Sequence, residues 1–173
     1  MIIVAIGANL PGPDGAAPLA TCEAALDALA AAGIRVVRRS SWYRTEPVGE
    51  PDQPWFINGV ATVRTGLGPE ATLAALHRIE ARFGRARLAA GAPRTLDLDL
   101  IDYRGMLRDG PPGPVLPHPR AHERRFVLAP LAEIAPQWRH PRLGRTAAAM
   151  LADLPPRPAV LRIARGSRGR RFP

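Results

Sequence analysis

The chain contains no lysine: all 24 of its basic residues are Arg, set against 15 acidic residues, for a formal net charge of +9. A Walker A phosphate loop and every Schiff-base mechanism need lysine, so both are excluded, and any phosphate bound here is held by guanidinium. Cysteine occurs once, at Cys22, which rules out an internal disulfide and any multi-cysteine zinc or iron–sulfur site. Serine occurs only at Ser40, Ser41 and Ser167, and none lies in the Gly-x-Ser-x-Gly turn of a hydrolase nucleophile. No run approaches the roughly 18 apolar residues of a membrane span. Met1 to Ile6 has neither a basic leader nor a cleavage site, so the expected location is the cytoplasm.

What is present describes one globular domain. The 173 residues are 46% apolar and 23% charged. At that size folding buries about 70% of the extended chain's surface, enough for a core without disulfides or structural metals. Gly and Pro make up about a fifth of the chain, below the roughly one quarter that signals disorder, so they mark turns between ordered elements. The basic excess raises nucleic acid as a partner, because neutralised phosphates release counterions. Five of the arginines sit in Arg162 to Arg171, however, and without them the excess is only +4. The expected division is a single folded domain over 1–155 and a basic extension over 156–173, with an edge strand near Ala159 to Ile163 and a disordered end.

Ile2 to Ile6, stopped by Gly7-Ala8-Asn9, reads as a buried first strand. Leu19, Cys22, Leu26 and Leu29 recur at helical spacing and predict a helix over Leu19 to Ala32, closed by Gly33, with Cys22 buried in it. Ile34 to Thr45 and Trp55 to Thr65 alternate as two strands, the second with Phe56, Asn58, Val60 and Thr62 on one face. Pro69 to Phe83 predicts a second helix, with Pro69 in its first turn and Gly84 beyond its end. Thr95 to Tyr103 alternates as a fourth strand, and Ala121 to Ile134 reads as a third helix. The order β-α-β-β-α-β predicts an α+β fold: a ferredoxin-like core with an antiparallel sheet, helices on one face, and a C-terminal extension. Two loops rich in Gly and Pro, Glu46 to Pro54 and Gly84 to Pro93, are expected to move when empty and to close over ligands.

The segment Arg94-Thr-Leu-Asp97-Leu-Asp99-Leu carries the most specific chemistry. The side-chain period of a strand sends Leu96, Leu98 and Leu100 to the core and Asp97 and Asp99 to the opposite face, about 7 Å apart. Their mutual repulsion is about 2 kcal/mol at an effective dielectric near 20. A bound cation removes it, and two such carboxylates can each hold one ion of a magnesium pair. A merely solvated strand face fits the alternation equally well. Arg94, with Arg85 and Arg87 in the preceding loop, adds planar forks that suit phosphate, and metal plus arginine describes phosphoryl or nucleotidyl transfer. His118 is held between Pro117 and Pro119, a rigid presentation that suits a hydrogen bond to phosphate or ribose. Gly66-Leu-Gly68-Pro-Glu-Ala71 matches a dinucleotide fingerprint only superficially. Pro69 removes a needed N–H, and Glu70 would repel a pyrophosphate.

Taken in order, Gly7-Ala8-Asn9-Leu10, Ser41-Trp-Tyr-Arg-Thr45, Asp52-Gln-Pro-Trp-Phe56-Ile-Asn58, Gly84-Arg85, Pro93-Arg94-Thr-Leu-Asp97-Leu-Asp99, Leu116-Pro-His118 and Arg124-Arg-Phe126-Val-Leu resemble the 6-hydroxymethyl-7,8-dihydropterin pyrophosphokinases of folate biosynthesis. The resemblance implies transfer of pyrophosphate from ATP to the pterin hydroxymethyl group, with release of AMP. It implies that Asp97 and Asp99 bind two Mg²⁺ ions, and that Arg85 and Arg94 hold phosphates and stabilise developing charge. Glu80, His118 and Arg124 would lie along the nucleotide. Phe56 and Phe126 would stack on the two faces of the pterin, Asn58 would bond its edge, and Thr45 and Val48 would offer backbone contacts. The chain departs from the family in a shorter loop before Arg94, which lacks the usual Trp, and in Pro119 after the His. The remaining alternatives are a nucleic-acid-binding ferredoxin-like module and a degenerate relative that binds without turnover. The expected partners are the two small substrates, with neither membrane nor nucleic acid, and the expected state is a monomer.

Overall fold

Strand β1 (Ile2–Ala8) is buried along its whole length, because it runs in the middle of a sheet whose two faces are both covered. The computed structural model describes residues 1–47, 52–84 and 93–164. Its chain order is β1, α1 (Pro18–Ala31), β2 (Arg35–Arg39), β3 (Tyr43–Thr45), β4 (Phe56–Arg64), α2 (Pro69–Arg82), β5 (Asp97–Tyr103), α3 (Arg125–Ile134), α4 (Ala147–Asp153) and β6 (Val160–Arg162). The sheet order is β5-β1-β4-β3-β6, with β2 also paired to β4, and every pairing is antiparallel. This is the expected α+β core, with the edge strand near residue 160 in place.

Two strips of apolar side chains form the core, one on each face. Val4, Ile6, Ala61, Val63, Leu96, Leu98 and Leu100 meet Cys22, Leu29, Leu76 and Ile79 of α1 and α2, the face the helical spacing predicted. Ile3, Ala5, Val60 and Ile101 meet Val127, Leu128, Leu131 and Ile134 of α3, with Met150 of α4 behind them. The second face is therefore roofed as well, by the C-terminal third of the chain. Burying such side chains contributes about 1.5–3 kcal/mol each, so the packing of α3 adds to the stability of the sheet.

Three boundaries differ from the periodicity. The single strand expected over Ile34 to Thr45 is two, β2 and β3, separated at Ser40 to Trp42. There the Ser40 hydroxyl accepts the Val60 N–H at 3.1 Å, and the Trp42 ring sits where a Cβ on Gly59 would be 2.7 Å away. The helix expected from Ala121 begins instead as a 3-10 turn (Ala121–Glu123), and α3 starts only at Arg125. Arg124 is extended between them, and its carbonyl accepts the N–H groups of Val127 and Leu128. The fourth strand begins at Asp97 instead of Thr95. The sequence-predicted loop positions 48–51 and 85–92, and the tail from 165, lie outside the described residues.

Candidate active site

Register across the sheet assembles the site. Gly7 of β1 stands opposite Asn58 of β4 on one side and Asp97 of β5 on the other, and Ala5 stands opposite Asp99. Directly opposed residues share a face. Asn58, Gly7, Asp97 and Asp99 therefore lie on the face roofed by α3, together with Phe56 and its partner Thr45. A solvated face was one of the two readings of the carboxylates. The structure places Asp97 in the wall of a cavity and Asp99 beside it, against the lining residue Arg124, and each carboxylate is partly buried.

Guanidinium groups stand against both. Arg94 Nη1 lies 2.6 Å from Asp97 Oδ2, and Arg124 Nη1 donates to Asp99 Oδ2 at 2.9 Å. Such charge-assisted contacts offset the repulsion between the two carboxylates. Arg124 itself has extended backbone, between the 3-10 turn and α3. Its guanidinium carbon also sits 5.5 Å from the centre of the Phe126 ring. Asn9, only 2% exposed, anchors Arg94 by its backbone. Its side-chain oxygen accepts the Arg94 N–H at 2.7 Å, and the N–H groups of Asn9 and Leu10 donate to the Arg94 carbonyl. The Asn9 amide nitrogen donates to the Pro54 carbonyl at 3.1 Å, so one buried side chain ties the end of β1 to both strand-flanking segments.

His118 extends the row of polar groups beside Asp99. Its Nδ1 accepts the Arg120 N–H at 3.2 Å, which leaves the proton on Nε2, 3.7 Å from Asp99 Oδ2. Burial pulls its pKa below the ordinary histidine value, outweighing the pull of Asp99 in the other direction. Burial thus favours the neutral imidazole over the cation. Glu80, expected along the nucleotide by resemblance, sits on α2 beneath β5. It is 3% exposed and accepts the Leu98 N–H at 2.7 Å, so its carboxylate acts on the backbone of the carboxylate-bearing strand.

The cavity itself, about 340 Å³, has Gly7, Thr45, Phe56, Asn58, Arg94, Asp97, Arg124 and Phe126 in its walls. It is the size and character of a site for a flat, polar-edged ligand. Asn58 is held there by donating from its amide nitrogen to Thr45 Oγ1 at 2.6 Å, so its oxygen faces Gly7. Of the sequence-predicted residues, Asp99 and His118 border this cavity through Arg124, while Arg85 and Val48 lie outside the described residues. Reading the sequence missed Gly7, Glu46, Glu123, Arg125 and Pro158, which also line it, together with Arg120. Only Gly7 carried a usable signal, as the one residue without a side chain at the end of an apolar strand. A larger open groove, about 910 Å³, lies at the far end of the sheet between Arg38, Arg64 and Arg104, and no carboxylate or imidazole lines it.

Known proteins resemble this chain along most of its length. The family model for 7,8-dihydro-6-hydroxymethylpterin-pyrophosphokinase matches residues 3–136. The chain is 48% identical over 145 residues to a 2-amino-4-hydroxy-6-hydroxymethyldihydropteridine pyrophosphokinase of Synechocystis sp., covering 83% of this chain and 71% of that one. It is 43% identical over 155 residues to the protein of the same name from Pseudomonas aeruginosa, covering 89% and 91%. Among solved structures, the Plasmodium falciparum HPPK-DHPS chain superposes with a TM-score of 0.65 at 13% identity, over 87% of this chain and 43% of that one. At that identity the likeness speaks for the fold alone.

Proposed function

Because the chain belongs to the 7,8-dihydro-6-hydroxymethylpterin-pyrophosphokinase family, we propose that it works in the cavity beneath α3, with Asp97, Asp99, Arg94 and Arg124 serving the triphosphate and Phe56, Asn58 and Phe126 serving the pterin. The reaction moves pyrophosphate from ATP to the hydroxymethyl group of the pterin and releases AMP. The observation that supports the residue assignment is the row Asn58–Gly7–Asp97 across three adjacent strands, on which a heterocycle pocket and a phosphate site would lie side by side.

The donor set fits magnesium. Among the described residues no group of three or more His, Cys, Asp or Glu forms a complete metal cage. Two carboxylates on alternate strand positions suit ions that take the rest of their ligands from substrate phosphates and water. Asp97 and Asp99 would hold two Mg²⁺, which when bound offset negative charge on the triphosphate. Arg94 and Arg124 already stand against those carboxylates. Each offers further N–H donors to phosphate oxygens in a fixed planar fork. Neutral His118 would donate from Nε2 to a phosphate or ribose oxygen. Arg85 belongs to the same phosphate set, and Val48 with Thr45 to the pterin set, by family resemblance. Phe56 and Phe126 would exclude water from the two faces of the ring, while the Asn58 oxygen, turned toward Gly7, accepts from its edge.

The catalytic unit is read as one chain acting as a monomer in the cytoplasm. No helix among the described residues is long and apolar enough to cross a membrane. The test is AMP formation from ATP with and without 6-hydroxymethyl-7,8-dihydropterin, across a magnesium titration. AMP should appear only with both pterin and metal. AMP formation that ignores the pterin would remove the assignment of this cavity.

A further inference from the structure

We propose that residues 157–162, beyond the family-matched range that ends at residue 136, form a latch that sets the pterin end of the cavity, with Glu46 as its catch. The inference rests on the reading of that cavity given above. Glu46 follows the last residue of β3, and its own backbone N–H donates to the Ala159 carbonyl at 3.0 Å. Its carboxylate receives the Ala159 N–H at 3.0 Å and Arg157 Nη1 at 2.7 and 3.0 Å. Both carboxylate oxygens are thus engaged by the latch, and Glu46 holds the wall in place instead of recognising the ligand.

The rest of the segment is fastened just as specifically. Val160, Leu161 and Arg162 pair with Thr45, Arg44 and Tyr43. Arg162 donates from Nε to Ser41 Oγ at 2.8 Å and from Nη2 to Glu133 Oε1 at 3.1 Å. Glu133, on α3, also receives the Ser41 N–H and the Tyr43 hydroxyl. The segment therefore links β3 to the helix that presents Phe126. Glu46 and Pro158 both stand in the cavity wall, and Thr45, paired to Val160, is the residue that orients Asn58. Loosening Glu46 widens the pocket and frees Thr45, whereas Asp97, Asp99 and Arg94 are held by β1, β5 and Asn9 and stay in place. The expected signature is selective: pterin binding weakens and nucleotide binding does not.

The two contacts are unequal. Arg157 is 79% exposed in its side chain, where ion pairs contribute little, while the Ala159 N–H is partly buried and loses a charged acceptor when Glu46 is removed. Glu46→Ala should raise the pterin KM about five- to tenfold, and Arg157→Ala about two- to threefold. The ATP KM should stay within about twofold. Glu46→Gln, which keeps an oxygen for Ala159 but no charge for Arg157, should match Arg157→Ala, and the double variant Glu46→Ala/Arg157→Ala should be no worse than Glu46→Ala. Fluorescence titration of pterin into protein holding magnesium and a non-hydrolysable ATP analogue gives the same ranking without turnover, and thermal melts of each variant report folding. Equal loss of pterin and nucleotide affinity, or no loss of either in Glu46→Ala, overturns the latch while leaving the cavity assignment standing. A wild-type protein that takes no pterin overturns both.

Discussion

Gly7→Ala tests whether the site depends on the absence of one side chain. A Cβ at Gly7 would lie 2.5 Å from Asn58 Oδ1, with the Ile57 carbonyl oxygen at 3.9 Å. Ordinary contact needs about 0.9 Å more. The backbones cannot supply it, because β1 and β4 are paired residue by residue from Ile2↔Val63 to Ala8↔Ile57 and the strands are packed on both faces. Asn58 must rotate and give up its bond to Thr45 Oγ1. Losing that bond costs about 0.5–1.5 kcal/mol, and forcing a methyl into a filled site costs about 1–3 kcal/mol more. A total near 3 kcal/mol lowers the melting temperature of a chain this size by about 6–12 °C. The rotated amide no longer faces the pterin edge, so pterin affinity should fall about tenfold, equivalent to about 1.4 kcal/mol. Differential scanning calorimetry and pterin titration measure the two effects. Gly66→Ala, where a Cβ would meet nothing within 4 Å, is the control and should match wild type in both. A Gly7→Ala protein that melts within about 1 °C of wild type and binds pterin normally would refute the proposed orientation of Asn58.

Other expectations address charge and metal. Asp97→Asn or Asp99→Asn should lose most turnover while leaving pterin binding without nucleotide nearly intact; turnover within a few-fold of wild type would return the pair to a solvated strand face. Arg94→Lys replaces a planar fork by a point charge and should be strongly impaired, and equal kcat for the two residues would rule out a phosphate role. Glu133 is pushed up by burial, but the bonds from the Ser41 N–H, Tyr43 and Ser41 Oγ, with Arg162 nearby, outweigh this and hold its pKa below the usual glutamate value. A depressed carboxylate stabilises the fold above its unfolded pKa, near 4.5, and loses that contribution as pH falls through the folded value. Urea midpoints should therefore show wild type ahead of Glu133→Gln at pH 7, with the gap shrinking below pH 4.5. A gap constant down to pH 3 would refute this coupling.

The alternation in Leu96 to Leu100 was readable because a strand's period is insensitive to what covers it. It placed Asp97 and Asp99 away from the leucine face correctly, and the resemblance named Phe56, Asn58, Arg94, Arg124 and Phe126, all found around one cavity. Glu80 was readable as a polar residue on a helix but not as the acceptor of the Leu98 N–H. That pairing joins residues 18 apart through the packing of α2 on β5. Ala121 to Ile134 has the composition of one helix, yet Arg124 interrupts it and its side chain reaches Asp99, a long-range contact with no local mark.

Local physics thus determined the elements: the apolar run of β1, the helical spacing of Leu and Ala in α1 and α2, and the lack of lysine that leaves phosphate to arginine. Tertiary structure decided which face of the sheet becomes the site. Register alone aligns Asn58, Gly7 and Asp97, and only the folding back of α3 over Ile3, Val60 and Ile101 turns that row into a cavity. The basic C-terminal segment read as an extension with an edge strand near Ala159 to Ile163, but nothing in its sequence named the strand it would pair with. Its pairing with β3 and the engagement of Glu46 by Arg157 and Ala159 are contacts across more than 100 residues of chain, and no periodicity in a sequence can carry that information.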